Sequence, residues 1–172
     1  MKIGTWNVNG IRARAAQLVD WLEREAPDVV CLQEIKAAPE QLPPQLATLA
    51  GYHCAWHGMK GYSGVALLLS STKYEAPDIA YPPFDFENRI VTATIGPTIV
   101  VASVYIPNGG KDFVAKMKFL RALEAWTASL QAAGKHLVLC GDFNVALTDR
   151  DIHPNERRPV VGQLPEEREL IE

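Results

Sequence analysis

The chain has 172 residues, 48% of them hydrophobic, with 12 Gly and 12 Pro, which suits one globular domain over 1–172 burying roughly 70% of its unfolded surface. A net charge of −3, with 4 basic and 8 acidic side chains in 142–172, argues against bulk binding of a polyanion but not against a site that pairs carboxylates with basic residues. No run approaches the ~20 apolar residues of a membrane span, the start lacks the apolar stretch of a signal peptide, and three cysteines that cannot all pair (Cys31, Cys54 and Cys140), in apolar settings, read as thiols of a reducing cytoplasm.

Lys2–Asn7 is expected to form a strand, and Asp28–Glu34 a second one of the buried kind, since Val29, Val30, Cys31 and Leu32 are consecutive. Between them Ala15, Leu18 and Leu22 recur at helical spacing, so Arg14–Glu25 is expected to be a helix closed by Pro27. A short helix is expected over Glu40–Ala50, broken early by Pro43-Pro44. The middle changes character: Gly51–His57, Gly64–Leu69, Arg89–Ile95 and Ile99–Ile106 are β-rich runs, with Gly96-Pro97 at a hairpin turn. Asp112–Ala132 carries Phe113, Met117, Leu120, Leu123 and Leu130 as an apolar stripe and ends before Gly134. His136–Cys140 is a last buried strand, and a helix starts near Pro165 and then stops uncapped, as if the chain were cut. Strand–helix–strand units mixed with a β-meander predict an α/β layered sandwich, two central mixed sheets flanked by helices and incomplete at the C-terminus.

The polar residues at strand ends carry the chemistry. Asn7 and Asn9 follow the first strand, Glu34 the second, Tyr105 and Asn108 a central one, Asp142 and Asn144 the last. In layered α/β folds such ends converge on one rim, where a carboxylate with carboxamides makes a hard-oxygen set for Mg2+ or Mn2+. Zinc is excluded, because no CxxC or HExxH spacing occurs. Asn9-Gly10 and Asn108-Gly109 are equally ordinary turn dipeptides, and Asp142 after Gly141 could simply cap a turn. Glu34 is harder to dismiss, because a carboxylate ending so apolar a strand needs a partner or a metal. His53, His57 and His136 read as ordinary strand residues. The Lys116, Lys118 and Arg121 charges, like Arg12 and Arg14, read as solvated helix faces.

Taken in order, the motifs resemble the exonuclease III family of apurinic/apyrimidinic endonucleases. They are Trp6-Asn7-Val8-Asn9-Gly10-Ile11-Arg12-Ala13, Leu32-Gln33-Glu34-Ile35-Lys36, Lys60-Gly61-Tyr62-Ser63-Gly64-Val65 and Asn88-Arg89-Ile90-Val91. Tyr105-Ile106-Pro107-Asn108-Gly109-Gly110, Gly141-Asp142-Phe143-Asn144-Val145-Ala146 and Leu164-Pro165-Glu166-Glu167-Arg168 complete the series. One tetrapeptide is weak; seven ordered blocks are strong. The resemblance covers the first two-thirds of a family member, and the terminal Ser-Asp-His motif has no counterpart.

The resemblance implies Mg2+-dependent hydrolysis of double-stranded DNA at abasic or 3′-blocked sites in base excision repair, by a cytoplasmic monomer with no obligate protein partner. Glu34 would be the main metal ligand, with Asn7 and Asn9 beside it, where many relatives carry Asp in place of Asn9. Asp142 would orient or deprotonate the attacking water, Asn144 would hydrogen-bond the scissile phosphate, and Tyr105 would contact that phosphate or assist proton movement. Lys36, Tyr62, Arg89, Asn108 and Lys111 would touch or position the DNA backbone. The alternatives are another phosphodiesterase of the superfamily, acting on phospholipid or RNA, and a non-catalytic fragment that binds only metal or DNA. The 172 residues alone are expected to be inactive.

Overall fold

A computed structural model describes all 172 residues. They divide into two compact units, one of Met1–Tyr105 with Lys135–Asp142, the other of Ile106–Gly134 with Phe143–Glu172.

The first unit holds every strand. β1 (Ile3–Asn7) pairs in parallel with β2 (Val29–Gln33), which pairs antiparallel with β4 (Tyr62–Ser70), and β3 (Tyr52–Met59) closes the order β1-β2-β4-β3. The second sheet runs β5-β6-β7-β8, built from Asp78–Ala80, Ile90–Ile95, Ile99–Tyr105 and His136–Asp142; its last pair is parallel. The expected fold of two mixed sheets with helices is therefore observed. Helix α1 (Ile11–Glu25) lays Ile11, Ala15, Leu18 and Leu22 onto the outer face of the first sheet, against Val30, Leu32, Ala66 and Leu68. The opposite faces of the two sheets meet through Val29, Cys31, Val65, Leu67 and Leu69 on one side and Val91, Ala93 and Val101 on the other. A central strand covered on both faces must be apolar throughout, which is why β2 and the interior of β4 read as unbroken hydrophobic runs.

Strand ends shift by one or two residues, and three elements differ more clearly from expectation. Helix α1 starts three residues early, because buried Ile11 already belongs to its apolar stripe and Gly10, at φ +100, makes the preceding turn. The expected helix Glu40–Ala50 is a 3-10 turn at Pro39–Gln41 followed by α2 (Pro44–Ala47), since Pro43-Pro44 denies the donors a continuous helix needs. β5 was not anticipated: three residues are too short for a period to show, and it forms only by pairing with β6.

The second unit contains α3 (Phe113–Ala132), capped by the Asp112 carboxylate accepting from the Ala115 N–H at 2.8 Å, and α4 (Pro165–Glu169). Lys116 in the first turns of α3 is not on a solvated face; it is fully buried and salt-bridged to Glu167.

Candidate active site

Parallel pairing explains why polar side chains gather at one rim of the first unit. Asn7 ends β1 opposite Gln33 at the end of β2, with Glu34 next, and Tyr105 ends β7 opposite Asp142 at the end of β8. The two sheets are joined there. Asn7 Nδ2 donates both to Glu34 Oε1 at 2.9 Å and to Asp142 Oδ2 at 2.8 Å. Immediately below, buried Gln33 donates from Nε2 to Ser103 Oγ at 3.3 Å and to Thr5 Oγ1 at 3.2 Å, and Ser103 Oγ donates to the Leu32 carbonyl. Gln33 and Ser103 thus have partners where they are buried, which keeps their burial inexpensive.

Glu34 sits at φ +53, and its neighbours Asn9 and Lys36 are also left-handed at φ +43 and +49. Such conformations cost of order 1 kcal/mol each and persist where surrounding bonds over-determine them. Here the Gly10 N–H donates to the Glu34 carbonyl at 2.7 Å, and the N–H groups of Ile35 and Lys36 donate to the carbonyls of Gly64 and Ser63. Gly141 is needed just before Asp142, since a Cβ there would collide with the Val104 carbonyl oxygen.

The electrostatics follow from these contacts. Burial opposes the charged form of Glu34, but hydrogen bonds from Asn7 and Lys36, the Lys36 charge and the Tyr105 hydroxyl outweigh it and lower its pKa. For Tyr105, burial, the Glu34 charge and the hydrogen bond to Glu34 push the phenol up to about 12. Glu34 is therefore an anion and Tyr105 a neutral donor at neutral pH. Lys36 Nζ lies 2.7 Å from Glu34 Oε2 and donates to Asn9 Oδ1 at 2.6 Å. Two hard oxygens thus converge on a cation, the arrangement a divalent ion would use. No group of three or more His, Cys, Asp or Glu suited to a metal forms in the chain.

The expected backbone-contacting residues do not share one role. Tyr62 is 48% exposed. Lys36 is half-buried within the carboxylate cluster. Arg89 departs from expectation: it is 3% exposed and its guanidinium is spent internally. It donates from Nη1 to the Tyr105 carbonyl, from Nη2 to Tyr62 Oη at 3.0 Å and to Glu87, and lies 4.8 Å from the Tyr105 ring centroid and within 5.7 Å of those of Tyr62 and Phe86. Arg89 so fixes two aromatic residues at the rim. Its replacement by Ala is expected to cost about 2 kcal/mol or more in stability through lost cation–π contact and packing. Urea unfolding checks the first part. The slope of log Kd against log salt should stay unchanged, whereas a direct phosphate contact would lower it by about 1.

His57 was read as an ordinary strand residue, yet its Nε2 lies 2.6 Å from Asp85 Oδ2 and its ring 4.3 Å from that of Tyr81. Asp85 also accepts from the N–H groups of Arg89 and Ile90 through Oδ1, so it orders the turn that presents Arg89.

The remaining expected residues lie in the second unit. Asn108 is exposed and turns the chain by accepting the Gly110 N–H at Oδ1, and Lys111 is exposed beside it. Asn144, two residues after Asp142 in sequence, sits at φ +51 and donates from Nδ2 to the Ile106 carbonyl at 2.8 Å.

Comparison with known proteins gives concordant results. Residues 4–166 match the model of the endonuclease/exonuclease/phosphatase family. The chain is 37% identical over 185 residues to the DNA repair nuclease APEX1 of Danio rerio, with 98% of this chain and 57% of that protein covered. It is similar to the structure of a 3′-5′ exonuclease (NExo) from Neisseria meningitidis, with a TM-score of 0.87, 32% identity and coverage of 99% and 69%. It is also similar to that of an AP endonuclease from Archaeoglobus fulgidus, with a TM-score of 0.84, 28% identity and coverage of 99% and 68%. The chain thus spans little more than half the length of the curated relative and about two-thirds of the two structures.

Proposed function

We propose, because this chain belongs to the endonuclease/exonuclease/phosphatase family, that the protein is a Mg2+-dependent nuclease that hydrolyses DNA phosphodiesters at abasic sites. The carrying observation is the single Asn7 carboxamide that holds Glu34 from one sheet and Asp142 from the other. The relatives described as a DNA repair nuclease, a 3′-5′ exonuclease and an AP endonuclease support DNA as substrate and leave room for exonuclease activity.

Glu34, with Asn7 and Asn9 beside it, would hold the Mg2+. When bound, the ion supplies a positive charge that stabilises the phosphoryl oxygens and the leaving oxygen. Asp142 is the side chain suited to accept a proton from an attacking water, and its bond from Asn7 fixes how the carboxylate is turned. Tyr105, whose phenol is pushed up to about 12 by burial and the Glu34 charge, is suited to donate a hydrogen bond where negative charge collects. Asn144 and Asn108 would bind the scissile phosphate and its neighbour, and Lys111 and Tyr62 would position the strand without reading sequence. An abasic nucleotide suits such a site because it has already lost its pairing.

The test is incision of a duplex carrying one abasic analogue by the full-length gene product, with Mg2+ and with EDTA, beside phosphoinositide, sphingomyelin and RNA. EDTA-sensitive incision at the analogue is expected. Hydrolysis of a phospholipid or RNA in preference to DNA would overturn the substrate assignment, and DNA binding without hydrolysis would overturn the enzyme assignment. From the height of the Tyr105 pKa, kcat should show no alkaline limb removed by Tyr105→Phe anywhere below about pH 10; a pH–rate profile of both proteins checks this. The proposal extends to a monomer and to a reducing cytoplasm, the latter supported by three free cysteines. No helix is long and apolar enough to cross a membrane.

A further inference from the structure

Lys116 and Glu167 are each 0% exposed and meet at 2.5 Å through Nζ and Oε1, the ammonium being the only partner Oε1 has. A buried ion pair is a poor device for stability, since apolar residues of similar volume do as well or better. What an ammonium does that a methyl cannot is point donors at chosen acceptors. Lys116 Nζ donates to the Asn144 carbonyl at 2.7 Å and to the Asn108 carbonyl at 3.4 Å. Its stem is crowded at the same place, for a Cβ on Gly109 would lie 2.7 Å from Lys116 Cδ and 2.8 Å from Val161 Cγ1. Glu167 Oε2 accepts from the N–H groups of Gly162 at 2.6 Å and Leu164 at 3.1 Å. Gly162 in turn accepts the Ala146 N–H at 2.8 Å, and Arg168 Nε donates to the Ala146 carbonyl at 2.9 Å. The segment after Asp142 is therefore tied at three backbone atoms, with Asn144 held in a left-handed conformation by the tie.

We propose that Lys116 and Glu167 are positioning residues, a buried clamp that sets the backbone of Asn108 and Asn144 so that their carboxamides engage the scissile phosphate and its neighbour together. The clamp rests on the reading of those two residues as phosphate contacts. Neither clamp residue touches the substrate; each acts through a main-chain carbonyl or N–H.

The test is the double variant Lys116→Met with Glu167→Gln in the full-length gene product. Met fills the stem volume without charge, and Gln retains an acceptor for Gly162 and Leu164. Melting temperature and Kd for abasic duplex should stay near wild type. The kcat should fall about 100-fold, the usual result of misplacing a positioning group by about 1 Å. Hydrogen exchange should accelerate in 106–111 and 143–147 while the interior of α3 is unchanged. Lys116→Met alone leaves the Glu167 carboxylate buried without its cation and should lower the melting temperature, while exchange in 106–111 and 143–147 should accelerate as in the double variant. Wild-type kcat with wild-type exchange would overturn the clamp, and so would loss of folding in both variants, which would reduce the pair to holding the fold. If the wild-type protein failed to incise abasic DNA, the nuclease reading would fall instead, and the exchange measurement would still decide whether the clamp exists.

Discussion

Replacing Asp142 by Asn is expected to lower kcat for abasic-site incision by on the order of 1000-fold, with Kd for the duplex within about twofold of wild type. Asn7 presents an N–H to Asp142 Oδ2. An amide at position 142 can keep that bond only by turning its own oxygen toward Asn7. Its NH2 group then replaces the other carboxylate oxygen, so an acceptor becomes a donor while shape is conserved. Single-turnover kinetics beside an anisotropy titration separates the two quantities. A change confined to Kd would remove Asp142 from the chemistry.

Glu34→Ala is expected to abolish the Mg2+-stimulated part of the rate, a loss of roughly 1000-fold if the ion contributes about 4 kcal/mol to the transition state. The fold should survive. Lys36 is about one-third exposed, so losing its carboxylate leaves a cation that water can solvate, and Ala at this left-handed position adds little to the strain that Glu already carries. Activity against Mg2+ concentration, with a thermal melt alongside, checks both halves. An unaltered Mg2+ dependence would move the metal away from Glu34.

Four residues at the rim were legible because their signal is local: Asn7, Glu34, Tyr105 and Asp142 each stand at or just after the end of a strand-like run. Which strands pair was not legible, since the orders β1-β2-β4-β3 and β5-β6-β7-β8 depend on contacts far apart in sequence. For the same reason charge alone misled. Lys116 looks like the neighbouring Lys118, yet one is sealed against a carboxylate 51 positions later and the other is exposed. Arg89, which the resemblance set beside the DNA backbone, is buried with three aromatic rings around its guanidinium, an arrangement made by residues far apart in sequence. The Pro-Glu-Glu-Arg block held the available hint for Glu167, because a carboxylate within a short, proline-started helix needs a reason to be buried.

The left-handed residues at the rim carry an implication for how this protein tolerates change. Asn9, Glu34 and Lys36 occupy backbone conformations that glycine enters freely, so glycine at Glu34 or Lys36 would relieve strain while deleting the oxygen or the ammonium. Heat resistance and chemistry therefore pull in opposite directions at these positions. Selection for thermal tolerance alone would drift toward a sturdier protein that has lost its carboxylate, and only a screen that also demands turnover would keep Glu34 where it is.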